Sequence, residues 1–303
     1  MMQKISLDSH TALALHLWEP PGQPRGILHW LHGMAEHGGR YQSLADAVNA
    51  EGWILAVHDH RGHGHSQNPL LPAGFFAEQD GWQTVCQDTL LLGQHLRQRF
   101  PNLPLVLGGH SMGSFIALSA SQQDSSALSG LILCGTDSKP PLLWQLAAMV
   151  ARLERARVGA TGTSRLLKKL TFDAFAKKIT NRQTDFDWLS HRPDIVQAYI
   201  ADPLCGFDCT TGLWTDLFDG MAKANSNTGF SRLPTHLPIL LIAGAEDPMS
   251  NGGKGVTRLG KLLSKKHNLR DVALFKPGRH EILNDLCATD AQKKVTDFLK
   301  SME

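Results

Sequence analysis

Residues 106–118 read VLGGHSMGSFIAL: an apolar run, a serine between two glycines, then apolar residues at helical spacing. Gly109-His110-Ser111-Met112-Gly113 fits G-x-S-x-G, the pattern of a serine held on a sharp strand-to-helix turn. Side chains two residues either side of such a serine would collide, so only glycine fits there. The turn leaves the hydroxyl exposed, and the new helix aims its first N–H groups at any anion formed nearby. A serine hydroxyl is a weak nucleophile at neutral pH. It needs a base, and the base needs an orienting acid. In this arrangement the acid follows the serine along the chain and the histidine follows the acid. Asp247, in LLIAGAEDPMS, and His280, in ALFKPGRHEIL, each come just after an apolar run and in that order. Glu246 adjoins Asp247, Asp271 opens an apolar run, and Asp285 lies beyond the histidine. His267 is a second histidine in range, but KLLSKKHN reads as a solvated helix end. Ser111, Asp247 and His280 are therefore the expected catalytic set.

Acyl transfer also needs donors for a tetrahedral oxyanion. The backbone N–H of Met112 directly follows the serine. The second donor belongs to the loop after an early strand, HWLHGMAEHGGRY, which makes the N–H of Met34 the candidate.

These groups need a scaffold that brings strand ends together. Short apolar runs at 26–33, 53–60, 103–111, 128–136, 237–247 and 271–280 read as buried strands ending in polar residues or glycine. Helical patterns lie between them; Val85, Thr89, Leu92 and Leu96 form one core-facing stripe. Alternation of this kind predicts a mostly parallel sheet covered on both faces, an α/β fold whose ligands sit at the carboxyl ends of the strands. The regularity breaks between about 137 and 233. That segment has helical patterns without a clear core strand and is too long for a loop. It is expected to be a helical cap inserted into a core formed by 1–136 and 234–303, with Pro140, Pro141, Pro234 and Pro238 at its ends.

Bulk properties narrow the class. The chain has 303 residues, 42% of them hydrophobic and 19% charged, as expected for a globular protein with a sizeable core. A formal net charge of +2 gives no nucleic-acid footprint. Five scattered cysteines form no C-x-x-C pair, which argues against a zinc clip or disulfide framework and for a reducing compartment. The N-terminal stretch alternates like a strand from Leu13 to Trp18 and lacks the features of a signal peptide. PPLLWQLAAMVARL falls well short of the roughly 18 apolar residues needed to span a bilayer. A cytoplasmic protein is expected.

Together HGMAEHGGRY, DHRGHGHS, GHSMGS, YIADPLCGF, AGAEDPMS and PGRHEIL resemble the monoglyceride lipase and lysophospholipase family of α/β-hydrolases, grouped with the serine aminopeptidases. The match runs from about residue 25 to 300. The resemblance implies Ser111, Asp247 and His280 as the triad, with Met34 and Met112 lining the oxyanion hole. It implies a serine carboxylester hydrolase acting on monoacylglycerols, lysophospholipids or related small acyl esters, with no metal or organic cofactor. It also implies a polar substrate subsite at Glu36, Arg40, His110 and Tyr199. A carboxylate, guanidinium, imidazole and phenol can hold a diol or glycerophospho group. Glu36 and Arg40 can equally pair to brace their loop. Ser114 stands where many members of the family have a further glycine, a change expected to act on helix packing.

Other chemistries fit parts of the sequence. A proline-type aminopeptidase uses the same triad and needs a carboxylate for the substrate's amine. The cap supplies Glu154, Asp173, Asp185, Asp187 and Asp194, with nothing to choose among them. His58-x-His60-x-x-His63 echoes a metallohydrolase run, but Gly62 stands where that pattern has its acid. A non-catalytic scaffold would be expected to lack a triad member. The apolar helix in PPLLWQLAAMV can dock on lipid or line an acyl tunnel; it can equally bury itself against the sheet.

Overall fold

The computed structural model describes residues 2–7 and 11–303. Eight strands form one sheet: β1 Met2–Ser6, β2 Ala12–Trp18, β3 Gly26–Leu31, β4 Trp53–His58, β5 Leu105–His110, β6 Gly130–Cys134, β7 Ile239–Gly244 and β8 Leu269–Phe275. Their order is β1-β2-β4-β3-β5-β6-β7-β8; the pairs β1–β2 and β2–β4 are antiparallel and the other neighbours are parallel. Every residue of β3 to β7 is buried, which is why these strands read as unbroken apolar runs.

The helices are α1 Gln42–Ala50, α2 Gly81–Arg99, α3 Met112–Gln123, α4 Pro141–Val158, α5 Arg165–Leu170, α6 Phe172–Ala176, α7 Pro193–Ala201, α8 Thr211–Ala224, α9 Asn227–Arg232, α10 Lys254–Leu263 and α11 Ala288–Lys300. One face of the sheet is covered by α1 and α11, through Leu44, Val48, Val295 and Leu299. The other is covered by α2, α3, α8 and α10, through Val85, Ile116, Leu217 and Leu259. The stripe Val85, Thr89, Leu92 and Leu96 is buried. Within 137–233, α8 joins this core layer, while α4 packs one stripe (Trp144, Ala148, Ala151) inward and leaves Leu142, Met149 and Leu153 exposed. No described helix is long and apolar enough to cross a membrane.

Register places the chemistry at one edge of the sheet. Leu31 pairs with both His58 and Gly109, and His110 pairs with Cys134. The loops that follow β3, β4, β5 and β6 therefore leave the sheet at one level, and β7 and β8 deliver theirs beside them.

A cluster of histidines fills the space under these loops. His29, His32, His58, His60 and His63 are all buried. His32 donates from Nδ1 to the Gly33 carbonyl (2.7 Å) and accepts at Nε2 from the His60 N–H (3.0 Å), which fixes it as one neutral tautomer. His29 and His58 share a hydrogen bond of 3.0 Å. Burial pushes His29 and His63 down to about 4 and His60 to about 3, and holds His32 and His58 well below the ordinary histidine value. The unfolded chain takes up these protons near pH 6.5 and the folded one does not, so stability is lost as pH falls from 6.5 toward 4. Each such group adds a slope of about 1.4 kcal/mol per pH unit in that window. The urea midpoint is expected to fall steeply below pH 6.5; equal midpoints at pH 5 and pH 7.5 would contradict this.

Candidate active site

Ser111 links β5 to α3 with φ +52° and ψ −121°, a backbone conformation that a residue with a side chain rarely adopts. Its neighbours leave no alternative. A Cβ on Gly109 would come within 2.4 Å of the Gly113 carbonyl oxygen, and one on Gly113 within 2.2 Å of the Leu31 carbonyl oxygen. The turn is pinned by Ser111 N–H to the Cys134 carbonyl (2.9 Å) and by the Ser114 hydroxyl to the Ser111 carbonyl (2.6 Å). Ser114, buried in α3, thus ties the helix to the turn. Met112 is the first residue of α3, where N–H groups have no partner within the helix.

The other groups arrive from separate strands. Asp247 lies just past β7 and accepts from the Met249 N–H (2.9 Å) and from His280 Nδ1 (3.1 Å). His280 lies in the loop after β8. That loop closes on β7 so tightly that a Cβ on Gly244 would meet the Gly278 and Arg279 carbonyl oxygens at 2.2 and 2.1 Å. Asp247 and His280 are both buried. The His280 ring lies 4.7 Å from that of His110 and 5.0 Å from that of Trp188. The Ser111 hydroxyl is turned toward Met249 Sδ, at 3.8 Å.

Electrostatics favour a charged Asp247 and a basic His280. Burial opposes protonation of His280, but the charge and hydrogen bond of Asp247, helped by Glu281 and Glu36, outweigh it and raise the imidazole above 6.5. Burial also opposes ionisation of Asp247, and here His280 and the Met249 N–H prevail and lower it. His110 is pushed down to about 3 by burial and by the neighbouring His280, so it stays neutral.

The loop carrying Met34 is braced on all sides. Glu36 accepts from the Gly33 N–H (2.5 Å), the Tyr41 hydroxyl (2.9 Å) and Arg40 Nη1 (2.6 Å). Arg40 also grips Glu281 with two hydrogen bonds, 2.7 and 2.8 Å long. Tyr199, on α7, donates to the Ala35 carbonyl (2.9 Å), and the Arg40 guanidinium lies 4.8 Å from its ring centroid. Burial and the charge of Glu281 push the Glu36 carboxyl up, while Arg40 holds Glu281 low against its own burial. The bracing role left open for Glu36 and Arg40 is thus realised in the geometry. The sequence reading missed Glu281, next to His280; a second acid beside the histidine at a strand end was its only local signal.

Two cavities meet at Ser111. The larger, about 460 Å3, is walled mainly by apolar side chains of α3, α4, α5 and α8, among them Phe115, Trp144, Leu167, Trp214 and Met221. The smaller, about 100 Å3, is walled by Glu36, His110, Trp188, Tyr199, His280 and Glu281 among others. Met34 and Ser111 line both; Arg40 lines neither. The imidazoles of His58, His60 and His63 turn to different partners, namely His29, the His32 carbonyl and the Arg61 carbonyl. Among the described residues, side-chain ligand atoms converge instead at His16, His37 and Asp59 and at His37, Asp202 and Cys205.

Because the base must be neutral to accept a proton, kcat/KM is expected to rise with pH through a group above 6.5. Asp247→Asn should cost about 10⁴-fold in kcat and lower that limb; a limb that stays in place would contradict the pairing. Arg40→Ala strands two buried carboxylates and should cost about 3–5 kcal/mol in stability. It should also slow glycerol and simple aryl esters alike, whereas a selective loss on glycerol esters would point to substrate contact.

A family model described as serine aminopeptidase, S33, matches residues 22–287. The monoglyceride lipase of Mus musculus is 26% identical over 269 residues, covering 89% of this chain and 80% of that protein. A lipase solved in its open form is 27% identical with a TM-score of 0.89, over 100% of this chain and 99% of that one. A thermostable carboxyl esterase from Bacillus coagulans in complex with glycerol is 26% identical with a TM-score of 0.90, over 100% and 98%. With these matches spanning the sheet and both cavities, the chain belongs to the serine aminopeptidase S33 family and is an ester-hydrolysing enzyme of the α/β-hydrolase fold.

Proposed function

We propose that this enzyme is a serine carboxylester hydrolase of the monoacylglycerol class, working through an acyl-enzyme on Ser111. One observation carries the reading: Ser111 stands where an apolar and a polar cavity meet, and His280 of the Asp247–His280 pair walls the polar one. The acyl chain occupies the larger cavity and the alcohol the smaller. The segment 137–233 serves as the cap that walls both. Relatives named monoglyceride lipase support the substrate class.

The Ser111 hydroxyl leaves Met249 by rotating about its Cα–Cβ bond toward His280. Its oxygen attacks the acyl carbonyl while His280 Nε2 takes the proton. The resulting oxyanion accepts from the N–H groups of Met34 and Met112, each worth about 10²–10³ in rate. Collapse breaks the bond to the alcohol oxygen, which receives the proton from His280. A water then gives its proton to His280 and attacks the acyl-serine; collapse releases the fatty acid as His280 returns the proton to Ser111 Oγ. Asp247 holds the imidazole tautomer and stabilises its charged form. The exposed apolar face of α4 (Leu142, Met149, Leu153) suits transient contact with aggregated or membrane-borne substrate.

A substrate panel tests this reading. Monoacylglycerols and aryl esters should be cleaved and alanyl or prolyl arylamides spared, and Ser111→Ala should lose about 10⁴-fold or more. Preference for arylamides would move the assignment to a peptidase, and full activity in Ser111→Ala would refute the mechanism.

A further inference from the structure

The smaller cavity carries a lining that ester hydrolysis does not require. We propose that, besides the alcohol of a monoacylglycerol, this subsite takes alcohols bearing an ammonium group, such as small amino alcohols, and favours them over neutral or anionic alcohols of matched shape; this rests on the alcohol binding there, as set out above. Five aromatic rings wall it: Phe172, Phe186, Trp188, Tyr199 and Phe207. They support one another, with Phe186 and Tyr199 centroids 5.2 Å apart and Phe172 and Trp188 stacked at 5.7 Å. An aromatic face attracts a cation within about 6 Å of its centroid, and rings set around one space are the usual means of holding an alkylammonium group.

The charges on the same wall agree. Glu36, Asp173, Asp185, Asp208 and Glu281 line the cavity, against Lys168 as the single lysine or arginine in the lining. The cations nearby are already engaged. Lys168 pairs with Asp208 at 2.9 Å, Arg182 reaches Asp185 at 3.7 Å, and Arg40 sits behind the wall on Glu36 and Glu281. Carboxylates remain in excess. Across Ser111 the sign reverses, since the charged residues lining the larger cavity are Lys139, Lys178 and Asp137. An alcohol carrying an anion, a phosphate included, meets carboxylates in the smaller cavity. One carrying an ammonium group meets rings and carboxylates together. The volume of about 100 Å3 suits a small head group.

Three octanoyl esters of matched shape test the proposal: those of choline, of 3,3-dimethylbutanol as its neutral isostere, and of 3-hydroxypropanoate. At low ionic strength kcat/KM should favour the choline ester over the isostere by about tenfold, mainly through KM, with the anionic ester slowest. Added salt should narrow the spread. The triple change Asp173→Asn, Asp185→Asn and Asp208→Asn should narrow it further at low salt. Equal or faster cleavage of the neutral isostere, or a preference insensitive to both salt and the triple change, would overturn the subsite while leaving ester hydrolysis intact. Turnover of monooctanoylglycerol run alongside with none of the three cleaved would overturn this inference alone; no turnover of that ester either would remove the monoacylglycerol reading, and this inference with it.

Discussion

The site depends on one backbone constraint. β5 must end and α3 begin within a single residue, and the space for that turn is bounded by main chain on both sides. The carbonyl oxygen of Gly113 closes on Gly109, and the carbonyl oxygen of Leu31 closes on Gly113. Main chain cannot step aside as a flexible side chain can, so both glycines are obligatory and Ser111 is driven to a positive φ. That conformation sets Ser111 at the junction of the two cavities, with Met112 lining the larger one. The strain is held by the packed sheet beneath, where Ser111 N–H is fixed to Cys134 on β6.

A second constraint couples the loops. Arg40 joins Glu36, on the loop carrying Met34, to Glu281, on the loop carrying His280. These acids are 245 positions apart in sequence, and a buried guanidinium between them keeps the two loops in one arrangement. Buried ion pairs of this kind add little net stability, because desolvation offsets their attraction, but they are costly to break. Their value here is positional. Glu36 and Glu281 also raise the affinity of His280 for a proton, so the brace acts on the proposed base as well as on its geometry.

Much of this was legible in the sequence. The central strands were, because burial on both faces forces unbroken apolar runs; those runs extend one to three residues past the strand ends, where the chain already turns toward the site, as at Gly33, His60 and Asp247. The run read as 271–280 is strand only to Phe275, since the residues after it form the loop that delivers His280. β1 left no signal: it is an edge strand with no buried residue, so nothing selects for apolar alternation. α8 shows the limit of periodicity. Its buried stripe, Leu213, Leu217 and Met221, marks a half-buried helix without saying whether it faces a cap or the sheet layer. Ser111, Asp247, His280 and the glycines stand out in the sequence because acyl-transfer chemistry and the tight turn restrict residue type. The aromatic wall does not. Phe172, Phe186 and Trp188 come from segments without a motif, Phe207 ends YIADPLCGF, and only folding gathers them around one space.

The central claim is that Ser111, the N–H groups of Met34 and Met112, and the two cavities form one acyl-transfer centre. A crystal structure after reaction with an alkylphosphonate diester, from which Ser111 displaces a p-nitrophenolate leaving group while the second ester group stays on phosphorus, tests it most directly. The account predicts phosphorus bonded to Ser111 Oγ, a phosphoryl oxygen held by the N–H groups of Met34 and Met112, the alkyl chain in the larger cavity and the ester group in the smaller. Phosphorus on another residue, or a phosphoryl oxygen turned away from both N–H groups, would contradict it.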